Sequence, residues 1–204
     1  MAKQLEEMVK KSARERTTRE QEKEAAKWLQ SKAKTASKEN TLRRNKRRTS
    51  LLGDESKIAN KIEVGSMYLY NYDAKFKKTL PYYDTFPCIM LVDFDKTGHF
   101  LGLNLHYLPP LLRAKLLDAI MDLETYKSEK QRAKMRYSII TSFAGSDLAK
   151  PCLKKYLYSH VVSNFIEIVR DDWHYIAALP LANFVSETGS SSITRVYADS
   201  RRRN

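Results

Sequence analysis

Large apolar residues are rare before Ile62 and dense after it. Burial of apolar surface is what drives a chain to become compact, so this partition decides where a core can form. Up to Ile58 the large apolar side chains are few and scattered, among them Leu5, Met8, Val9, Trp28 and Leu29. Hydrophobic residues still make up 42% of the 204-residue chain, so the remainder is rich enough for a single core. The sequence divides into an arm, residues 1–61, and a compact domain, residues 62–200.

The arm is set apart by charge as well. The whole chain carries +13; the arm holds 18 Lys and Arg against 9 Asp and Glu, and the rest holds 19 against 15. A bias this local concerns partners rather than fold, and its candidates are nucleic acid, an anionic membrane surface or an acidic protein. Gly and Pro are absent from Met1 to Leu52, where Lys, Glu, Ala, Arg and Gln dominate; all are good helix formers. Pairs such as Glu20 with Lys23 support a solvated helix, and no sustained heptad supports a coiled coil. Trp28 and Leu29 are the expected anchor of this helix on the domain or on a partner.

Beyond the helix, Arg43, Arg44, Lys46, Arg47 and Arg48 crowd five cations into six residues. Such a block repels itself and stays extended until a polyanion neutralises it. Phosphate contacts made this way release counterions, so binding is expected to be salt-sensitive and largely independent of sequence. The same composition also fits a solvated linker or a nuclear localisation signal. Arg201, Arg202 and Arg203 repeat the theme in what reads as a frayed tail.

In the domain, Met67 to Tyr72 alternates, with Tyr68, Tyr70 and Tyr72 on one side and Met67, Leu69 and Asn71 on the other. Period two with aromatics argues a strand, whose tyrosines form either a packed sheet face or a stacking platform; the packed face is the commoner outcome. A loop follows, since Pro81 forbids a central strand. It brings Lys75, Lys77 and Lys78 next to Tyr82 and Tyr83, charge beside stacking surface, and is a second candidate polyanion contact.

Phe86 to Phe94 reads as a buried strand, Asp95 to Gly98 as a tight turn, and His99 to Tyr107 as the return strand of a hairpin. Gly102 within that strand marks a bulge or a close approach. Pro110 suits a helix start, and Leu112, Leu116, Ala119 and Ile120 form the stripe of an amphipathic helix over residues 111–121. A more basic helix is expected near 127–142, and a third opening at Pro151 with Leu153, Tyr156, Leu157 and Val161. Residues 164–169 and 173–179 read as two final strands. This order fits an α+β fold: a small SH3-like antiparallel β-barrel with a helical insertion before its last two strands. An open antiparallel sheet with helices on one face is the alternative.

No sequence motif calls for catalysis. HExxH, GxSxG, Walker and GxGxxG patterns are absent, and no cofactor is expected. Asp93 and Asp95 share a strand face, where two carboxylates could hold Mg²⁺ as in a nuclease; an ordinary acidic turn explains them more simply. Cys88 and Cys152 sit in apolar contexts and read as reduced core residues rather than a disulfide or metal ligands. No run of eighteen apolar residues and no apolar leader segment is present. The expectation is therefore a chain with no membrane partner, acting inside a cell or in a particle made there.

Three strings carry a resemblance: Gly65 to Tyr68 with Tyr72 to Lys75, Leu80 to Pro87, and Gly102 to Pro110. Together they resemble small structural or packaging-associated proteins of T4-type tailed bacteriophages, a group that includes virion proteins described as DNA end protectors. The similarity covers roughly residues 62–180. The chain has Ala74 where the group's Tyr-Asp-Pro-Lys string has Pro, which leaves that loop less rigid. The resemblance implies a non-enzymatic protein that binds DNA, at its ends, in the host cytoplasm and then in the virion. The alternative it implies is a connector docking on an acidic head, neck or baseplate component through Trp28 and Leu29, with other phage structural proteins or further copies of the chain as partners.

Overall fold

The computed structural model describes residues 55–122, 128–145, 149–173 and 181–202, together with Lys23 and Lys27 of the arm, both helical and exposed. The rest of residues 1–54, with Trp28, Leu29 and the cluster Arg43, Arg44, Lys46, Arg47 and Arg48, lies outside the described residues.

The described strands are β1 (Ile58–Ala59), β2 (Met67–Leu69), β3 (Tyr83–Asp84), β4 (Cys88–Phe94), β5 (His99–Asn104), β6 (Leu153–Leu157), β7 (Phe165–Glu167), β8 (Phe184–Ser186) and β9 (Gly189–Ser190). The helices are α1 (Pro110–Asp122), α2 (Glu129–Ala144) and α3 (Ile193–Arg202). A six-stranded sheet runs β1-β7-β2-β4-β5-β6, and a small three-stranded one runs β3-β8-β9. Every pairing is antiparallel, so the α+β class holds.

The alternation read in β2 splits the core in two. Met67 and Leu69 join Met90, Leu103 and the helix residues Leu116, Leu117, Ile120, Ile140 and Phe143. Tyr68, Tyr70 and Tyr72 face the other way, into Ile89, Leu91, Phe100, Tyr156 and Phe165. The tyrosine ladder is a packed interior: Tyr70 lies edge-on to Tyr156 at 5.7 Å and tilted against Phe165 at 4.8 Å. Such aromatic pairs add stabilisation beyond the area they bury.

The β4–β5 hairpin forms as expected, with Gly98 at φ +77° supplying the left-handed turn position. Its register slips between Leu91 and Asp93, which places the bulge on β4 rather than at Gly102. Gly102 instead serves close approach. A Cβ there would meet the Ile89 side chain at 2.8 and 2.9 Å.

Several expectations are corrected. The edge strands β1 and β6 do not pair with each other, so the sheet does not close into a barrel. Residues 153–157 are not helical but form β6, followed by a 3-10 turn, Tyr158–His160. Leu153, Tyr156 and Leu157 satisfy helical spacing, yet Tyr156 gains more by stacking on Phe100 at 5.4 Å across the ladder. Trp173 has helical backbone after the 3-10 turn Arg170–Asp172, and residues 174–180 of the expected last strand lie outside the described residues. The helix α3 carries regular backbone to Arg202, where a frayed tail was expected. Ahead of residue 62, β1 pairs with β7 and Lys57 is buried.

Candidate nucleic-acid interface

The chain leaves β2 through Tyr72, which bridges to Val161. The Tyr72 amide donates to the Thr85 carbonyl at 2.9 Å, and the Asp73 amide to the His160 carbonyl at 3.0 Å. In return, His160 Nδ1 lies 2.8 Å from the Asp73 carbonyl oxygen. Ala74 is 4% exposed and part of the aromatic cluster. These contacts hold the loop where the missing proline would have stiffened it.

Lys75 to Pro81 then forms seven consecutive exposed residues. The Phe76 carbonyl accepts from the Thr79 and Leu80 amides, both at 3.0 Å, and from Thr79 Oγ1 at 3.2 Å. One oxygen thus organises the whole turn. Lys77 Nζ contacts both carboxylate oxygens of Asp73, at 2.9 and 3.1 Å, and that bond raises the ammonium pKa. Lys75 Nζ stands 5.4 Å from the Phe76 ring centroid. One carboxylate among Lys75, Lys77 and Lys78 leaves the turn net positive, so the sequence expectation of an exposed cationic loop holds here.

The expected stacking surface does not. Tyr82 is 8% exposed, with its ring 6.3 Å from Tyr107 and edge-on to Phe184 at 6.2 Å. It belongs to the core beneath the loop and offers no free face to a base. Tyr83 is half-buried against the aromatic cluster. Phe76, not singled out by sequence, is the aromatic side chain the loop exposes. Its position between Lys75 and Lys77 was the available signal.

The return limb is fixed by a buried polar network that sequence reading also missed. Asp84 Oδ2 lies 2.7 Å from His106 Nδ1 and accepts from Asn104 Nδ2 at 3.1 Å. Its other oxygen accepts from the Phe86 and Asn183 amides at 3.0 and 3.3 Å. Asn104 Nδ2 also reaches the Tyr156 hydroxyl at 3.0 Å. Burial pushes the His106 imidazole pKa down against the pull of Asp84. The carboxylate is satisfied on both oxygens and sealed from water, so its work is to lock β3, β5 and the segment before β8 together.

Asp93 and Asp95 sit at the C-terminal end of β4, where it enters the hairpin with β5. Asp95 Oδ1 accepts from the Thr97 amide at 2.8 Å, its hydroxyl at 2.6 Å and the His99 amide at 3.1 Å. Lys155 Nζ lies 2.5 Å from Asp95 Oδ2. The Lys155 and Thr97 bonds hold the Asp95 carboxyl far below the usual carboxylate range. Asp93 Oδ1 accepts from the Phe94 amide at 2.8 Å. Asp95 organises the turn, and Asp93 caps only the amide that follows it. Among the described residues no cluster of three His, Cys, Asp or Glu gathers to hold a metal ion. Cys88 and Cys152 are buried and not joined in a disulfide, their thiols pushed up to about 12 by burial. No described helix is long and apolar enough to cross a membrane.

A family model described as phage T4 terminal DNA protecting protein matches residues 1–200, arm and domain together. No curated protein and no solved structure matches the chain at a significant level.

Proposed function

The chain belongs to the phage T4 terminal DNA protecting protein family, and from that premise we propose that it binds the ends of phage DNA and shields them, without catalysing a reaction. The family match over both arm and domain carries this reading. Arg43, Arg44, Lys46, Arg47 and Arg48 neutralise phosphates from the arm, and Lys75, Lys77 and Lys78 do so from the exposed turn of the domain. The same membership supports action in the infected host's cytoplasm and then in the virion.

The finer fold reading is supported by strand order. The run β7-β2-β4-β5-β6, with a 3-10 turn between β6 and β7 and α1 and α2 inserted after β5, supports reading the large sheet as an open counterpart of an SH3-like module. The connector role, with Trp28 and Leu29 docking on a phage structural protein or on another copy, is the competing account of the arm.

Gel retardation of a linear duplex across a salt series tests the proposal. Retardation that weakens steeply with salt is expected. Absence of binding, or binding indifferent to salt, contradicts it, and nuclease-resistant capture of a phage structural protein then favours the connector.

A further inference from the structure

Phosphates run along the interior of a duplex as they do at its end, so phosphate neutralisation alone does not distinguish the two. What an end adds is the uncovered flat face of its last base pair. A flat apolar group presented among cations is suited to select that face, because aromatic rings stack on bases of any sequence.

Phe76 meets that description. It is 59% exposed, against 52% for Tyr158 and 46% for Phe94. Tyr158 is already engaged with Phe100 and Phe165 at 6.1 and 5.6 Å. Phe94 lies between Asp93 and Asp95, the wrong sign for DNA. Phe76 lies between Lys75 and Lys77, with Lys78 next and Leu80, 37% exposed, hydrogen-bonded to its carbonyl. Three donors hold that carbonyl, and Asp73 and Tyr72 anchor the loop below it, so the ring is displayed on a preorganised turn and little ordering is left to be done on binding.

We infer that Phe76 caps the terminal base pair of a DNA duplex by stacking on its exposed face, while Lys75, Lys77 and Lys78 take the phosphates beside it. The inference rests on the end-binding function proposed above. It assigns end selection to the turn and leaves to the arm the affinity common to all DNA.

The test compares binding of the full chain to a blunt linear duplex and to a covalently closed circle of the same sequence, at one salt concentration. Wild type is expected to prefer the linear form per unit length. Phe76→Ala is expected to lower that preference about tenfold while leaving affinity for the circle unchanged. Phe76→Trp, which keeps a flat ring, is expected to retain the preference. A wild-type preference that survives Phe76→Ala overturns the inference alone, as does an equal loss on both DNAs. Equal binding of wild type to both forms overturns the end-binding function and the inference with it. Phe76 is exposed, so these variants leave the core intact.

Discussion

Lys57 Nζ lies 2.6 Å from Asp172 Oδ2, with the two side chains only 7% and 1% exposed. The pair ties the segment before β1 to the 3-10 turn after β7, so the chain coming from the arm enters the domain at a fixed point. Removing one member of a desolvated pair strands the other, at about 3–5 kcal/mol. Lys57→Ala is expected to lower unfolding free energy by that amount in urea denaturation. Lys57→Met combined with Asp172→Asn is expected to cost less than the sum of the single changes.

Gly102 gives a second prediction for stability. Its added methyl group would meet Ile89 at under 3 Å, inside a face already filled by aromatic rings. Gly102→Ala is expected to destabilise by about 1–3 kcal/mol through overpacking. Ile89→Val in the same chain should return part of that loss, and denaturation midpoints of the single and double variants check it.

The buried His106 makes stability depend on pH. Its folded pKa is depressed from the ordinary 6.5, chiefly by burial, so the unfolded chain binds a proton more readily. The stabilisation is present above the unfolded value and is lost as pH falls below it towards the folded pKa. Wild-type unfolding free energy is expected to drop between pH 7 and pH 5.5. In His106→Gln this contribution to the slope should vanish, as urea titrations at several pH values would show.

The exposed turn and the arm should contribute separately to salt dependence. Replacing Lys75, Lys77 and Lys78 by Ala is expected to flatten the slope of log affinity against log salt by about 2–3. Replacing the five cations from Arg43 to Arg48 is expected to flatten it by about 4–5. Asp73→Asn, which frees Lys77 from its carboxylate, should strengthen binding at low salt. Fluorescence anisotropy with a labelled duplex measures all three.

Local signals carried much of the domain into legible form. The β2 alternation, the Asp95-to-Gly98 turn and Pro110 at the start of α1 each act within a few residues, and each is found where the sequence places it. What was misread depends on distant partners. Leu153, Tyr156 and Leu157 have helical spacing, and only Phe100 across the ladder makes them a strand. Tyr82 follows a lysine-rich exposed run and looks like surface, but Tyr107 and Phe184 cover its ring. The Asp84 network draws His106, Asn104, Tyr156 and Asn183 from separate segments, a convergence no spacing rule encodes. The positive turn was legible because charge and proline need no partner to be read.

The central claim, that this chain shields DNA ends through phosphate contacts, is tested most directly by digestion of a linear duplex with a double-strand exonuclease in its presence. Saturating protein is expected to slow digestion from the ends, and rising salt to restore the unprotected rate in step with loss of binding. Digestion at the unprotected rate under saturating protein at low salt would contradict the account.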